Sequence, residues 1–119
     1  MNNSNKAVFL DRDGVINDLV SYSEEGIIDS PNSQKQFKII DGVGKALTQL
    51  KKIGFLLILI SNQPGIAKGK YNFGEFKKIK QKMEKSLKQY EIILDGQYYC
   101  LHHPDATQLK YKKKCKCRK

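Results

Sequence analysis

The sequence predicts an α/β fold built on a parallel sheet, and three observations support this. Apolar runs of strand length alternate with helical periodicity in the order strand, helix, strand, helix, strand, which implies right-handed crossovers. The central run, residues 55–60, is apolar throughout, as expected of a strand buried on both faces. The chain has 119 residues, so we expect a single domain over residues 1–119.

The first half of the chain contains one strand, one long connection and one helix. Ala7–Leu10 is an apolar run that predicts the first strand. Residues 19–37 show no strong periodicity, which is typical of a functional loop or cap, and we expect them to cover the substrate rather than pack into the core. Apolar residues then recur at helical spacing up to Gly54, which ends the helix; they are Val43, Ala46, Leu47 and Leu50.

The second half repeats the pattern. A polar loop is predicted over residues 61–72, after the central strand. Asn72 as cap with Glu75 three residues later resembles a capping box, so a second helix begins there. A third strand is predicted at residues 97–100. The buried face of the second helix is predicted to comprise Phe76, Ile79, Met83, Leu87 and Tyr90.

The composition restricts partners and location. The net charge is +10, from 22 Lys and Arg against 12 Asp and Glu. Because the lysines of the second helix lie largely opposite its apolar positions, we interpret them as a solvated surface and do not expect nucleic acid as the partner. No apolar run is long enough for a membrane span, and the first six residues lack the apolar core of a signal peptide. We therefore expect a cytoplasmic protein without a membrane partner.

Two carboxylates follow the first strand. Asp11 and Asp13 are one residue apart and can point the same way, and Gly14 allows a sharp turn after them. The carboxyl edge of a parallel sheet is where ligands bind in such folds. Paired carboxylates need a cation or proton between them, and Mg²⁺ favours carboxylate and phosphate oxygens. The pattern predicts a Mg²⁺ site with a nucleophile and an acid/base. The alternative is an ordinary Asp-Gly turn.

Ser61 and Asn62 close the central strand as Asp11 closes the first. A hydroxyl at this edge can donate to a phosphate oxygen, and backbone N–H groups of the following turn can add to it. Taken alone, a serine after a strand is more often only part of a turn.

The three cysteines lie at the C-terminal end of the sequence. An odd, clustered set argues against a disulfide framework and for a metal. Structural Zn²⁺ takes four such ligands tetrahedrally, and we expect a zinc-binding loop over residues 100–119. The predicted ligands are Cys100, His102, Cys115 and Cys117, with His103 as the rival to His102.

These motifs resemble those of the haloacid dehalogenase (HAD) superfamily, subclass IIIA. Asp11-Arg12-Asp13-Gly14 resembles its first motif and Ser61 its second. The resemblance implies a Rossmann-like three-layer α/β/α fold and a phospho-aspartyl mechanism. Asp11 would be nucleophile and Mg²⁺ ligand. Asp13 would be general acid/base and offer Mg²⁺ its backbone carbonyl.

Residues 61–69 and the cysteine segment are similar to those of the D,D-heptose 1,7-bisphosphate phosphatases. The histidinol phosphatases share the zinc loop. The polynucleotide 3′-phosphatases lack it and have only a loop related to residues 61–69. The resemblance implies structural zinc and a small phosphorylated sugar as substrate. Lys119 would neutralise phosphoryl charge together with Ser61, and Arg118 and Asn62 would contact the substrate.

The sequence departs from the family pattern at one point. The family's fourth motif, an acidic strand end that completes the Mg²⁺ site, is missing after Lys119. We therefore expect a fold incomplete at its C-terminal side: a fragment, a split gene product served by a complementing C-terminal chain, or an inactive paralogue. The alternatives to a heptose bisphosphatase are a histidinol-phosphate phosphatase and a non-catalytic truncated zinc-binding module.

Overall fold

The described part of the chain combines a parallel sheet, two α-helices and a small hairpin. A computed structural model describes residues 6–104, 109–112 and 117. Two short 3₁₀ helices lie at Gln34–Gln36 and Leu109–Tyr111. In chain order the main elements are β1 (Ala7–Leu10), β2 (Val20–Tyr22), β3 (Ile27–Asp29), α1 (Val43–Lys52), β4 (Leu56–Asn62), α2 (Phe73–Lys88) and β5 (Gly96–Cys100).

The main sheet confirms the predicted α/β class. Its strand order is β1-β4-β5, with both pairs parallel. Residue Ala7 lies opposite Leu56, and Ile58 lies opposite Gly96. Each neighbouring pair is therefore joined by one helical crossover, β1-α1-β4 and then β4-α2-β5. Because both crossovers progress in the same direction, the right-handed rule places both helices on one face.

The hydrophobic core lies between that face and the helices. Side chains alternate along β4, so Leu57 and Leu59 point together toward the helices and are fully buried. Leu47 of α1 packs into the same cluster. From α2 come Ile79, Met83 and Leu87. Fully burying each large aliphatic side chain contributes about 1.5–3 kcal/mol, which makes this layer the main source of stability.

The opposite face of the sheet is open in the described part of the chain. Phe9 is 66% exposed and Tyr98 is 63% exposed, while both described helices lie on the other side. The register aligns Phe9 with Ile58 and Tyr98 with Ile60, which gives a continuous apolar surface. We call it the open face; it comprises Phe9, Leu56, Ile58, Ile60 and Tyr98. Parallel sheets are normally covered on both faces, so this surface is unusual.

Residues 19–37, predicted as a loop or cap, contain a short hairpin over residues 20–29. Strands β2 and β3 pair antiparallel, with Val20 opposite Asp29. Lys70, in the loop after β4, holds the hairpin through an ion pair with Asp29 at 2.6 Å. Phe37, at the end of the segment, is 2% exposed and belongs to the core. The expectation that the segment stays outside the core is thus wrong at Phe37, because the chain must return to the sheet before α1.

The ends of the two helices agree with the residues predicted to begin and end them, except at Glu75 and Tyr90. Gly54 follows α1 with φ 98°, and the Asn72 side chain accepts a hydrogen bond from the Glu75 N–H at 2.8 Å. The Glu75 carboxylate accepts from the backbone N–H of Gln34 at 2.8 Å, so it joins α2 to the hairpin segment instead of completing a capping box. Helix α2 ends at Lys88, and Tyr90 is 46% exposed, which corrects its assignment to the buried face. Neither described helix is long and apolar enough to cross a membrane.

Candidate active site

Two neighbouring strand ends bring the predicted catalytic residues to one edge of the sheet. Asp11 follows β1 directly, and Ser61 and Asn62 are the last residues of β4. The two strands are parallel neighbours, so both carboxyl ends lie at the same edge. Ser61 and Asn62 were expected to begin a loop; instead they extend the ladder opposite Tyr99 and Cys100. Strand pairing therefore fixes the backbone of both residues.

A tight turn carries the chain from Asp11 back to the sheet. The carbonyl of Arg12 accepts hydrogen bonds from the N–H groups of Ile16 and Asn17, at 2.8 and 3.2 Å. Gly14 donates to the Asn17 carbonyl at 2.8 Å and has φ 83°, a conformation that suits glycine. The turn bonds of the described residues leave the carbonyl of Asp13 unused. Glycine thus has the role predicted for it after the two carboxylates.

The Asp13 carboxylate is held by N–H donors from three side chains. Arg12 Nε donates to Asp13 Oδ1 at 3.1 Å, and Arg12 Nη2 lies 3.0 Å from the same oxygen. Asn17 Nδ2 donates to the same oxygen at 3.1 Å, and Gln63 Nε2 donates to Oδ2 at 2.8 Å. Arg12 and Gln63 are each 1% exposed. A buried guanidinium beside a carboxylate balances its charge, which is how buried ion pairs become tolerable.

Gln63 is one of the residues of this site that the sequence pattern did not identify. Its side chain also donates to Ser61 Oγ at 2.8 Å, so one amide contacts both predicted functional groups. A signal was present: a long polar residue follows directly after two candidate residues at a strand end. Its contacts with Arg12 and Asp13 span 51 and 50 positions, which sequence spacing does not reveal.

A buried tyrosine, Tyr71, contacts the side-chain oxygen of Gln63. Tyr71 Oη lies 3.4 Å from Gln63 Oε1, and its ring packs with Ile66 and Phe76. Burial raises the pKa of Tyr71 to about 12, so the hydroxyl keeps its proton at neutral pH. Gly65 makes room for the ring, since a Cβ there would lie 2.3 Å from Tyr71 Cε2.

The second predicted site is at the end of β5. Ligand atoms of Cys100, His102 and Cys117 all lie within 4.8 Å of one another. His102 Nδ1 is 3.3 Å from Cys117 Sγ, whereas His103 is not part of this group. Three donors of this kind fit a zinc centre that needs one further ligand. Among the residues described, no acidic cluster of comparable size surrounds Asp11 and Asp13.

Three predicted residues lie outside the described part of the chain. They are Cys115, Arg118 and Lys119. Asn62 is half-buried at the end of β4. The structure therefore brings together Asp11, Asp13 and Ser61 on one side and Cys100, His102 and Cys117 on the other.

The chain is similar in sequence to known proteins. The chain is 49% identical over 113 residues to a D-glycero-beta-D-manno-heptose-1,7-bisphosphate 7-phosphatase of Photorhabdus laumondii, covering 95% of the chain and 56% of that relative. The chain thus spans about half the length of the curated relatives it matches. No family model matches the sequence.

The chain is also similar to solved structures of phosphatases. A D,D-heptose 1,7-bisphosphate phosphatase of B. bronchiseptica, complexed with magnesium and phosphate, superposes with a TM-score of 0.74 at 29% identity, over 96% of this chain and 56% of that one. A protein of Mesorhizobium loti described as a HAD-like phosphatase gives a TM-score of 0.79 at 23% identity, over 96% and 51%, which concerns the fold alone. The chain is therefore similar, over nearly all of its length, to about half of the heptose bisphosphate phosphatases, and it shares the α/β fold of these two solved structures.

Proposed function

We propose that this chain carries the active site of a Mg²⁺-dependent phosphatase that hydrolyses the 7-phosphate of D-glycero-D-manno-heptose 1,7-bisphosphate. One observation carries the proposal: Gln63 joins Asp13 to Ser61 through two bonds of 2.8 Å at the sheet edge where Asp11 also emerges. The names of the relatives at 49% and 45% identity support the substrate class.

The proposed reaction has two steps. An Asp11 oxygen attacks phosphorus, forming the aspartyl–phosphate bond, while the bond from phosphorus to the sugar oxygen breaks and Asp13 protonates that oxygen. Asp13 then takes a proton from water, whose oxygen attacks phosphorus and releases phosphate from Asp11. In this scheme Ser61 donates to a phosphoryl oxygen.

Three further roles are carried over from the family resemblance. Lys119 joins Ser61 in holding the phosphoryl group, and Asn62 and Arg118 contact the substrate. These roles suit a transferring phosphoryl group, which needs fixed positive charge and donors around its oxygens.

The residues at the edge fit Mg²⁺ in chemistry. Asp11 supplies a carboxylate, and the carbonyl of Asp13 is not used by the described turn bonds. Both are hard oxygen donors of the kind Mg²⁺ takes. When bound, the ion would neutralise charge on the phosphoryl oxygens. The neighbour that binds magnesium and phosphate, at 29% identity, supports this assignment.

A structural Zn²⁺ is proposed for the second site. Cys100, His102 and Cys117 converge within 4.8 Å, and Cys115 is the proposed fourth ligand. Soft thiolates with one imidazole suit zinc better than magnesium. We assign it the role of ordering residues 100–119, because few apolar side chains are available there to form a core.

The main alternative substrate is histidinol phosphate. The zinc-ligand group favours it as much as the heptose, because the two families share that motif. The segment of residues 64–69 favours the heptose enzyme by resemblance. The alternative outside enzymology is a non-catalytic zinc-binding module with a basic surface.

The proposed partner is a complementing segment that covers the open face, either fused or as a separate chain. Phe9 and Tyr98 expose 66% and 63% of their surface, and the relatives are nearly twice as long as the matched part. The charge and composition are compatible with the cytoplasm, which we propose as the location.

The test is phosphate release from heptose 1,7-bisphosphate and histidinol phosphate, side by side, with Mg²⁺. We expect the 119-residue chain to be weakly active, because Asp11 and the carbonyl of Asp13 leave most of the six positions around Mg²⁺ to water and phosphate, which hold the ion less firmly than a further carboxylate would. Supplying the remaining length of the relatives should raise heptose bisphosphate hydrolysis. Preferred turnover of histidinol phosphate would replace the substrate assignment.

Two variants of the completed protein test the mechanism. Asp11→Asn should abolish release, because an amide is a poor nucleophile. Asp13→Asn should slow it by roughly 10²–10⁴-fold, the usual contribution of general acid–base catalysis. Asp18→Asn is the matched control and should retain activity. Undiminished activity in Asp11→Asn would disprove the phospho-aspartyl mechanism.

A further inference from the structure

The side chain of Gln63 uses its full hydrogen-bonding capacity. Its Nε2 donates to Asp13 Oδ2 and Ser61 Oγ, each at 2.8 Å. Its Oε1 accepts from Arg12 at 2.9 Å and from Tyr71 at 3.4 Å. An amide offers two donors and one oxygen with two lone pairs, so all four positions are filled.

The chemistry of the neighbours fixes which way the amide points. Arg12 is a donor only, so it must face the oxygen of Gln63. The NH₂ group is then directed at Asp13 and Ser61, and the reversed amide would place donor against donor. At 1% exposure, Gln63 has no water to replace these bonds. The amide is therefore locked in one orientation.

The locked amide restricts the two groups that it contacts. Ser61 Oγ accepts from Gln63, so its single hydrogen is directed elsewhere and can be donated to another acceptor. Asp13 receives Gln63 on Oδ2 while Arg12 and Asn17 occupy Oδ1, which sets the plane of the carboxylate. General acid catalysis depends on such alignment, and small misplacements of a reacting group are costly.

We propose that Gln63 is a positioning residue, which aligns the acid/base carboxylate of Asp13 and the phosphate-binding hydroxyl of Ser61 as one unit. The inference rests on the proposed function and extends it to a residue that does not touch the reacting atoms. An amide is the side chain that this position requires. A carboxylate would oppose Asp13, and an apolar group would leave Asp13, Ser61 and Arg12 each short of a buried partner.

The experiment compares two leaving groups in the variant Gln63→Met. Methionine has about the same length and volume as glutamine but lacks its amide group. A sugar oxygen needs protonation as it leaves, whereas the nitrophenolate of p-nitrophenyl phosphate does not. With Mg²⁺ and saturating substrate, which offsets weaker phosphate binding, we expect single-turnover release of the sugar to fall roughly 10²-fold, within the range of acid catalysis, and release of nitrophenolate to fall much less. A merely structural role would slow both substrates equally, and that result would overturn the proposal.

Two further variants protect the comparison. Gln63→Glu has the same shape and keeps an oxygen toward Arg12, but it removes both donated bonds; it should show the same selective loss if Gln63→Met fails to fold. Gln81→Met is the matched control, because Gln81 is exposed on α2. Equal behaviour of Gln81→Met and the Gln63 variants would reject a positioning role.

A binding measurement separates this inference from the proposed function. If the unmodified protein hydrolyses neither substrate, the proposed function fails, and affinity for inorganic phosphate with Mg²⁺ decides the role of Gln63. Positioning predicts that Gln63→Met weakens phosphate binding at least about tenfold in the presence of Ser61, and little in Ser61→Ala. A loss of the same size in both backgrounds, or no loss, would show that Gln63 does not act through Ser61.

Discussion

Asp29 of β3 and Lys70 of the loop after β4 form an ion pair of 2.6 Å between segments 41 residues apart. The pair joins the hairpin to the segment that also carries Tyr71. Burial alone would raise the pKa of Asp29, but the hydrogen bond and charge of Lys70 lower it below its ordinary value of 3.8. The contact therefore depends on pH in a direction that can be stated.

The hairpin should loosen in acid. Because the folded-state pKa of Asp29 is lowered, its contribution is fully present above pH 3.8 and is lost as the pH falls through the lowered value. Both side chains are partly exposed, so we expect a local change rather than unfolding. NMR shifts of the Ile27 and Ile28 methyl groups should report this.

Variants should reproduce the acid effect at neutral pH. Lys70→Met should shift the same methyl signals, whereas Lys45→Met, on the exposed side of α1, should leave them unchanged. If acid and Lys70→Met both leave these methyl signals unchanged, the ion pair does not hold the hairpin.

Gly65→Ala should displace Tyr71 and destabilise the protein by about 1–3 kcal/mol, as overpacking usually does. The added Cβ would lie 2.3 Å from the ring, which is fixed between Ile66 and Phe76. Chemical denaturation measures the loss. Tyr71→Phe is the companion variant, because it keeps the ring and removes only the hydroxyl next to Gln63. If Gly65→Ala is as stable as the unmodified chain, the close approach is not rigid.

The two faces of β4 should respond differently to truncation. Leu59→Ala should cost about 2–5 kcal/mol, since Leu59 is fully buried under the helices. Ile58→Ala, next to it on the open face, should cost clearly less when the free energy of unfolding is measured on the 119-residue chain. In the completed protein the difference should shrink, because the complementing segment would bury Ile58. Equal costs in the short chain would mean that the open face is already covered.

Zinc content should depend on His102 and not on His103. We expect one Zn²⁺ per chain in protein purified without chelator, lost in Cys117→Ser and His102→Ala and retained in His103→Ala. Elemental analysis gives the stoichiometry. If zinc is lost in His103→Ala and retained in His102→Ala, then His103 rather than His102 is the zinc ligand. Absence of zinc from the unmodified protein would remove the assignment.

The sequence predicted what depends on local pattern. Continuous apolar runs predicted β1 and β4, and the Asn72 cap marked the start of α2 within one residue. The position of Asp11, Asp13 and Ser61 at one edge could be predicted because parallel strands end at the same edge, a rule that needs no tertiary detail. Strands β2 and β3 were not predicted, since three residues are too few to show a period.

The missed features arise from contacts between distant parts of the chain. Glu75 suits a capping box locally, yet its carboxylate binds Gln34 across 41 positions. Gln63 looks like an ordinary polar residue after a strand, and its role appears only when Arg12 and Asp13 approach from β1. Polar pairings of this kind depend on the fold as a whole.

The order β1-β4-β5 follows the order of the strands along the chain. Each strand of the sheet therefore joins the one made just before it, and no strand must wait for a later segment to be inserted between its neighbours. During synthesis β4 can pair with β1 once β4 itself has left the ribosome, and β5 then adds to the outer side of β4. We infer that this βαβαβ unit assembles vectorially, from N-terminus to C-terminus, and that the pairing of β5 with Ser61 and Asn62 completes the active-site edge last.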